Sequence, residues 1–66
     1  MIIFLNGNKH KLEKPISLAE LIDNLGVDTQ KSAVELNLCI YNKEEYPNIY
    51  LKEADAVEIV QFIGGG

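Results

Sequence analysis

The chain contains no arginine, so it lacks the residue best suited to gripping a phosphate through two parallel hydrogen bonds. Its six basic residues face ten acidic ones, leaving a net charge of −4 and a pI near 4.7. Nucleic acid and anionic membrane surfaces both require clustered positive charge, and neither is an expected partner. A single cysteine, Cys39, excludes an internal disulfide and fits a reducing compartment. No segment approaches the roughly 20 apolar residues of a membrane span. Met1 to Leu5 is apolar but lacks the basic leader, the apolar length and the cleavage site of a signal peptide. The expected location is therefore cytoplasmic.

With 66 residues and no repeat or linker, the chain is expected to form one domain, 1–66. A domain this small buries only about 60% of its unfolded surface and must place most of its apolar residues inside. There is no room for a cleft enclosed on all sides. A carrier or binding module is the expected class, not an independent enzyme.

Met1 to Leu5 reads as a strand stopped by the turn signal Asn6-Gly7-Asn8, and Lys9 to Lys14 as its polar hairpin partner, ended by Pro15. Lys9, His10, Lys11 and Lys14 form a basic stripe expected on a solvated strand edge. Ser17-Leu18-Ala19-Glu20 matches a capping box. Leu18, Leu21, Ile22 and Leu25 then repeat at helical spacing, and Gly26 stands where a left-handed residue would close the helix. Ala33 to Asn37 alternates with the period of a half-buried strand. Cys39 to Tyr41 follows as a shorter strand beyond a bend at Asn37-Leu38. Lys43 to Tyr46 is a candidate single helical or 3₁₀ turn ended by Pro47, Ile49 to Leu51 is extended, and Val57 to Phe62 is the last strand. The order is ββαββ, an α+β domain with a mixed sheet packed on one helix.

The most informative feature lies at Ile63-Gly64-Gly65-Gly66. Glycine has no Cβ, so such a segment can thread a channel that excludes every other residue. Its last carboxylate differs from the ten acidic side chains in being recognisable by shape. Residues 64–66 have no side chains to bury and are expected to be mobile or extended. Period-two alternation adds a second feature. If the helix covers the face bearing Ile3 and Val57, then Ile2, Phe4, Val60 and Phe62 occupy the uncovered face, an apolar patch of the kind that marks a partner surface.

Three segments carry a family resemblance: Met1-Ile2-Ile3-Phe4-Leu5-Asn6-Gly7, Val34-Glu35-Leu36-Asn37, and Asp55 through Phe62 into Ile63-Gly64-Gly65-Gly66. In these the chain resembles the ThiS family of ubiquitin-like β-grasp sulfur carriers. Two positions depart from the family pattern, which often has glycine where Ala54 and Leu38 stand. Both concern local backbone.

The resemblance implies a protein co-substrate. A ThiF-type adenylating enzyme would use ATP to convert the Gly66 carboxylate to an acyl-adenylate. Sulfur from a donor such as a cysteine desulfurase would then displace AMP to leave a thiocarboxylate, from which thiazole synthase would draw sulfur for the thiazole of thiamine. ATP and Mg²⁺ would belong to the adenylating partner, and the carrier would need no cofactor or metal of its own. Gly66 is the acyl site in this reading, Gly65 its slim stem, and Gly64 adds reach. Ile2, Phe4, Val60 and Phe62 form the docking surface, with Glu58 as an acidic rim contact. A molybdopterin-type (MoaD-like) carrier shares the fold and tail chemistry, and an interaction module with an inert glycine tail is a further alternative.

Other residues carry plainer readings. Cys39 is expected to be a structural thiol within the sheet, and His10 a surface strand residue with no ligand partner. Glu44 and Glu45 read as a solvated turn. Tyr41, Tyr46 and Tyr50 read as core-edge packing, since no basic groove accompanies them.

Overall fold

Asn6 and Gly7 both adopt positive φ, 50° and 82°, as the central pair of a two-residue type I′ hairpin turn does. They join β1 (Ile2–Leu5) to β2 (Asn8–Lys11) in the computed structural model, which describes residues 1–62. Asn8 therefore belongs to the strand and not to the turn. β2 stops at Lys11, and Leu12 folds into the core with its N–H donating to the Met1 carbonyl at 2.8 Å.

The helix α1 (Leu18–Leu25) is closed at both ends by its own sequence. Ser17 Oγ accepts from the Glu20 N–H at 3.1 Å, and the Glu20 carboxylate accepts from the Ser17 N–H at 3.4 Å. At the other end Gly26 is left-handed, φ 70°, and donates to the Asp23 carbonyl. Leu18, Leu21 and Ile22 are buried, while Leu25 sits at the rim of the stripe.

Four further elements complete the chain: β3 (Ser32–Leu36), β4 (Cys39–Ile40), a 3₁₀ helix (Lys43–Asn48) and β5 (Ala56–Gln61). The 3₁₀ helix runs through Pro47 instead of ending at it. One missing donor matters little in so short a turn, and the ends are held elsewhere. The Glu45 carboxylate accepts from the Asn42 N–H at 3.0 Å, and the Ile49 N–H donates to the Tyr46 carbonyl at 3.3 Å. Glu45 is thus a cap. Tyr46 is buried, which pushes its hydroxyl pKa up, whereas Tyr41 is about one-third exposed and Tyr50 more than half.

β5 begins at Ala56, one residue earlier than its apolar pattern suggests, because Asn37 grips that residue from both sides. The Asn37 N–H donates to the Ala56 carbonyl at 2.7 Å, and Asn37 Oδ1 accepts from the Ala56 N–H at 2.9 Å. Tyr50 makes only an isolated bridge to Ser17 and adds no strand to the sheet.

The sheet order is β2-β1-β5-β3-β4, with β1 and β5 parallel and the other pairs antiparallel. The short strand expected at Cys39 to Tyr41 is present as the two-residue edge strand β4. α1 covers one face, where Ile3, Val57, Leu18, Leu21 and Leu51 are at most 2% exposed. Each such side chain stabilises the fold by about 1.5–3 kcal/mol relative to exposure. Cys39 departs from expectation. It belongs to the edge strand but is exposed, because β4 has no neighbour beyond it to cover the thiol.

Leu38 and Ala54 have φ of 68° and 70°. The bends are kept and the side chains are forced into left-handed backbone, at roughly 1–2 kcal/mol each. Glycine would relieve that strain but loses about 0.5–1 kcal/mol through its freedom in the unfolded chain. Ala54→Gly and Leu38→Gly are each expected to stabilise the protein by about 0.5–1 kcal/mol. A lower denaturation midpoint for both would contradict the strain argument.

Candidate functional site

β5 lies at the centre of the sheet and is the last strand before residues 63–66 in sequence. Val57 is fully buried on the helix side, and alternation sends Glu58, Val60 and Phe62 to the other side. On β1 the same rule buries Ile3 and turns Ile2 and Phe4 outward, where both are half-buried. Val60 and Phe62 are each 59% exposed, too much to be core residues. All five residues thus share the face opposite α1.

They do not form one continuous patch. Phe4 lies beside Ala56 of β5, and Val60 is four residues further along that strand, about 13 Å away. Glu58 stands between them, directly across from Glu35 of β3, instead of at a rim. The face therefore holds two apolar pairs. Ile2 and Phe4 are flanked by Lys11 and Lys9 of β2, which places the basic stripe on an edge strand as expected. Val60 lies opposite Ala33, and the Phe62 N–H donates to the Lys31 carbonyl at 2.8 Å. The second pair is the one nearer in sequence to Gly64, Gly65 and Gly66.

The helix side of β5 also opens near its end. A groove of about 360 Å³ is lined by Leu5, Asn6, Leu25, Val27, Ile59 and Gln61. Gly64, Gly65 and Gly66, which carry the expected chemistry, lie outside the described residues. Among the described residues, no three His, Cys, Asp or Glu side chains gather in a way that could hold a metal. His10 is half-buried opposite Ile3 in β2.

Asn6 is the residue whose role the sequence conceals. Its carboxamide accepts from the Ile59 N–H at 2.7 Å and donates to the Ile59 carbonyl at 3.2 Å. The Asn-Gly pair announces a turn, but the reach of its side chain to β5 depends on the parallel pairing of strands more than fifty positions apart. Ile40, 73% exposed and opposite Glu35, extends the open face toward the β4 edge in the same unannounced way.

A five-stranded mixed sheet with its first and last strands parallel at the centre, crossed by a single helix, is a ubiquitin-like β-grasp. The chain belongs to the ThiS family, which it matches over residues 3–66. Its backbone is similar to the crystal structure of the thiamine biosynthesis protein ThiS from Geobacter metallireducens, with a TM-score of 0.84, 30% identity and full coverage of both chains. It is 35% identical to the sulfur carrier protein ThiS of Bacillus subtilis, covering 94% of this chain and 96% of that protein. It is also 39% identical to a thiazole synthase of Paramagnetospirillum magneticum across its whole length. The chain spans only 20% of the thiazole synthases it matches.

Proposed function

We propose that this chain is a sulfur carrier of thiamine biosynthesis, acting as a co-substrate and not as an enzyme. The observation that carries the reading is the family match over residues 3–66, which runs through Gly64, Gly65 and Gly66. A carboxylate at Gly66 is ionised at neutral pH and is a poor electrophile. Attack of its oxygen on the α-phosphorus of ATP expels pyrophosphate and gives an acyl-adenylate. A sulfur nucleophile at the hydrosulfide level then displaces AMP, leaving a thiocarboxylate whose anionic sulfur is a good nucleophile. A ThiF-type enzyme supplies the ATP and Mg²⁺ site, and a donor such as a cysteine desulfurase supplies the sulfur as a persulfide, which a thiol reduces by two electrons to the hydrosulfide level, the thiol ending as a disulfide. The whole-chain similarity to part of a thiazole synthase supports such an enzyme as the acceptor.

In this reading Val60 and Phe62 anchor the adenylating enzyme beside the glycine segment, with Ile2, Phe4 and Glu58 contributing across the same face. An exposed aromatic anchor of this kind contributes about 2 kcal/mol or more to binding. Phe62→Asp is expected to weaken binding to the adenylating enzyme by about 30-fold, the equivalent of that energy. The melting temperature should stay near wild type, because Phe62 is 59% exposed. Equal losses of stability and binding would place Phe62 in the core. The function itself is tested by ATP–pyrophosphate exchange with a ThiF-type enzyme, which should depend on this chain. Exchange at the enzyme's own background would overturn the reading.

A further inference from the structure

β1 ends at Leu5, which pairs with Val57, yet β5 continues to Gln61. Beyond Val57 the β1-facing edge of β5 would have no partner strand. In a parallel ladder every second residue faces a given neighbouring strand, donating its N–H to one residue there and accepting, at its carbonyl, from a residue two further on. Asn6 makes the first of these bonds with its backbone, donating to the Val57 carbonyl at 2.9 Å. The second would bring the Ile59 N–H to the Asn6 carbonyl, but the left-handed turn at Asn6, φ 50°, leads the backbone away. Oδ1 of the same residue takes that N–H instead, at 2.7 Å. Nδ2 then donates to the Ile59 carbonyl at 3.2 Å, as the next strand residue would have done.

We propose that Asn6 is a positioning residue for activation of the carrier, its carboxamide continuing the β1–β5 ladder and fixing the direction in which β5 leaves the sheet at Phe62. The inference rests on the sulfur-carrier reading. β3 holds the other edge of β5, through pairs reaching Ser32–Gln61 and the Phe62-to-Lys31 bond. With Asn6 in place the strand is clamped from both sides almost to its end. Without it, the part beyond Val57 is held from one side and can swing in the plane of the sheet. Such a swing moves Phe62, the point from which the following residues start. A misplacement of 1 Å at a reacting group can reduce turnover by about 10²-fold.

The test uses the full chain with Asn6→Gly and Asn6→Asp. Glycine tolerates the left-handed turn, so the hairpin is kept while the carboxamide is lost. Aspartate keeps the acceptor for the Ile59 N–H and loses the donor. Hydrogen exchange at Ile59 is read against Val60, whose N–H faces β3 by alternation. In Asn6→Gly the Ile59 amide should exchange about tenfold faster relative to Val60, reflecting the loss of a side-chain hydrogen bond. In ATP–pyrophosphate exchange with a ThiF-type enzyme, kcat should fall about tenfold with KM within about twofold, and Asn6→Asp should lie between. A purely structural role would change Ile59 and Val60 alike and leave kcat untouched, and either result overturns the proposal. Absence of exchange with the wild-type chain would overturn the carrier reading and this inference together. Equal turnover by wild type and Asn6→Gly would overturn the positioning role alone.

Discussion

A chain ending at Gly65, or one carrying a single residue after Gly66, is expected to lose ATP–pyrophosphate exchange while melting at the wild-type temperature. The reacting carboxylate must approach the ATP α-phosphorus to roughly 3–3.5 Å. One residue more or fewer moves it by about 3.5 Å, as far as the whole permitted approach. β5 itself cannot slide to compensate, because it is tied on both edges, at Ile59 by Asn6 and at Phe62 by the Lys31 carbonyl. Gly65→Val should fail in the same assay, since its branched side chain fills the passage that only glycine fits. Glycine has no side chain to bury, and among the described residues Val57 is the last fully buried apolar one, so the melting curves should overlay. Full exchange from either length variant would remove the carrier function.

The largest effect on stability is expected at Ile3. It is fully buried against α1, at the join of the two parallel strands. Ile3→Ala should destabilise the protein by about 2–5 kcal/mol, the loss of buried methyl groups plus the cavity left behind. A chain of 66 residues has a total stability of only about 3–10 kcal/mol at typical values per residue. The variant is therefore expected to be partly or wholly unfolded at 37 °C. Ile2→Ala, one residue earlier and on the opposite, half-buried face, should lose no more than about half as much. Urea denaturation of the two variants measures the difference. Equal losses would mean that the strand does not separate a core face from an open one.

These two predictions draw on parts of the chain that differ in how openly the sequence displays them. The helix was legible to the residue. Ser17, Glu20 and Gly26 are local signals acting within one turn of the backbone they close, and the structure uses all three. The separation of Ile3 and Val57 from Ile2, Phe4, Val60 and Phe62 was also legible, because a period of two admits only two assignments and the helix stripe selects one. The spacing along the open face was not. That Phe4 falls beside Ala56, with Glu58 between the two apolar pairs, depends on the stagger of two parallel strands joined through fifty intervening residues. No local pattern encodes that stagger.

The same holds for Asn6 and Asn37. Each reads locally as a turn residue, and each also uses its side chain to bind β5. Asn37 Nδ2 further donates to Asp55 Oδ1 at 3.1 Å, joining the β3–β4 turn to the turn that begins β5. Leu38 and Ala54 show the converse. Their side chains disfavour left-handed backbone, yet both adopt it, because the strands on either side fix the turn geometry. Exposure of Cys39 follows from the shortness of β4, whose two residues leave the sheet edge uncovered.

The chemistry at Gly66 is the central claim, and intact mass spectrometry tests it most directly. The chain is incubated with ATP, Mg²⁺, a ThiF-type enzyme, a cysteine desulfurase with cysteine, and a thiol reductant, then weighed beside a Gly66 deletion. The account predicts that the wild-type chain gains the mass difference between one sulfur and one oxygen atom, and that fragmentation places the gain on Gly66. The deletion variant should gain nothing. An unchanged wild-type mass, or the same gain in the variant lacking Gly66, would contradict it.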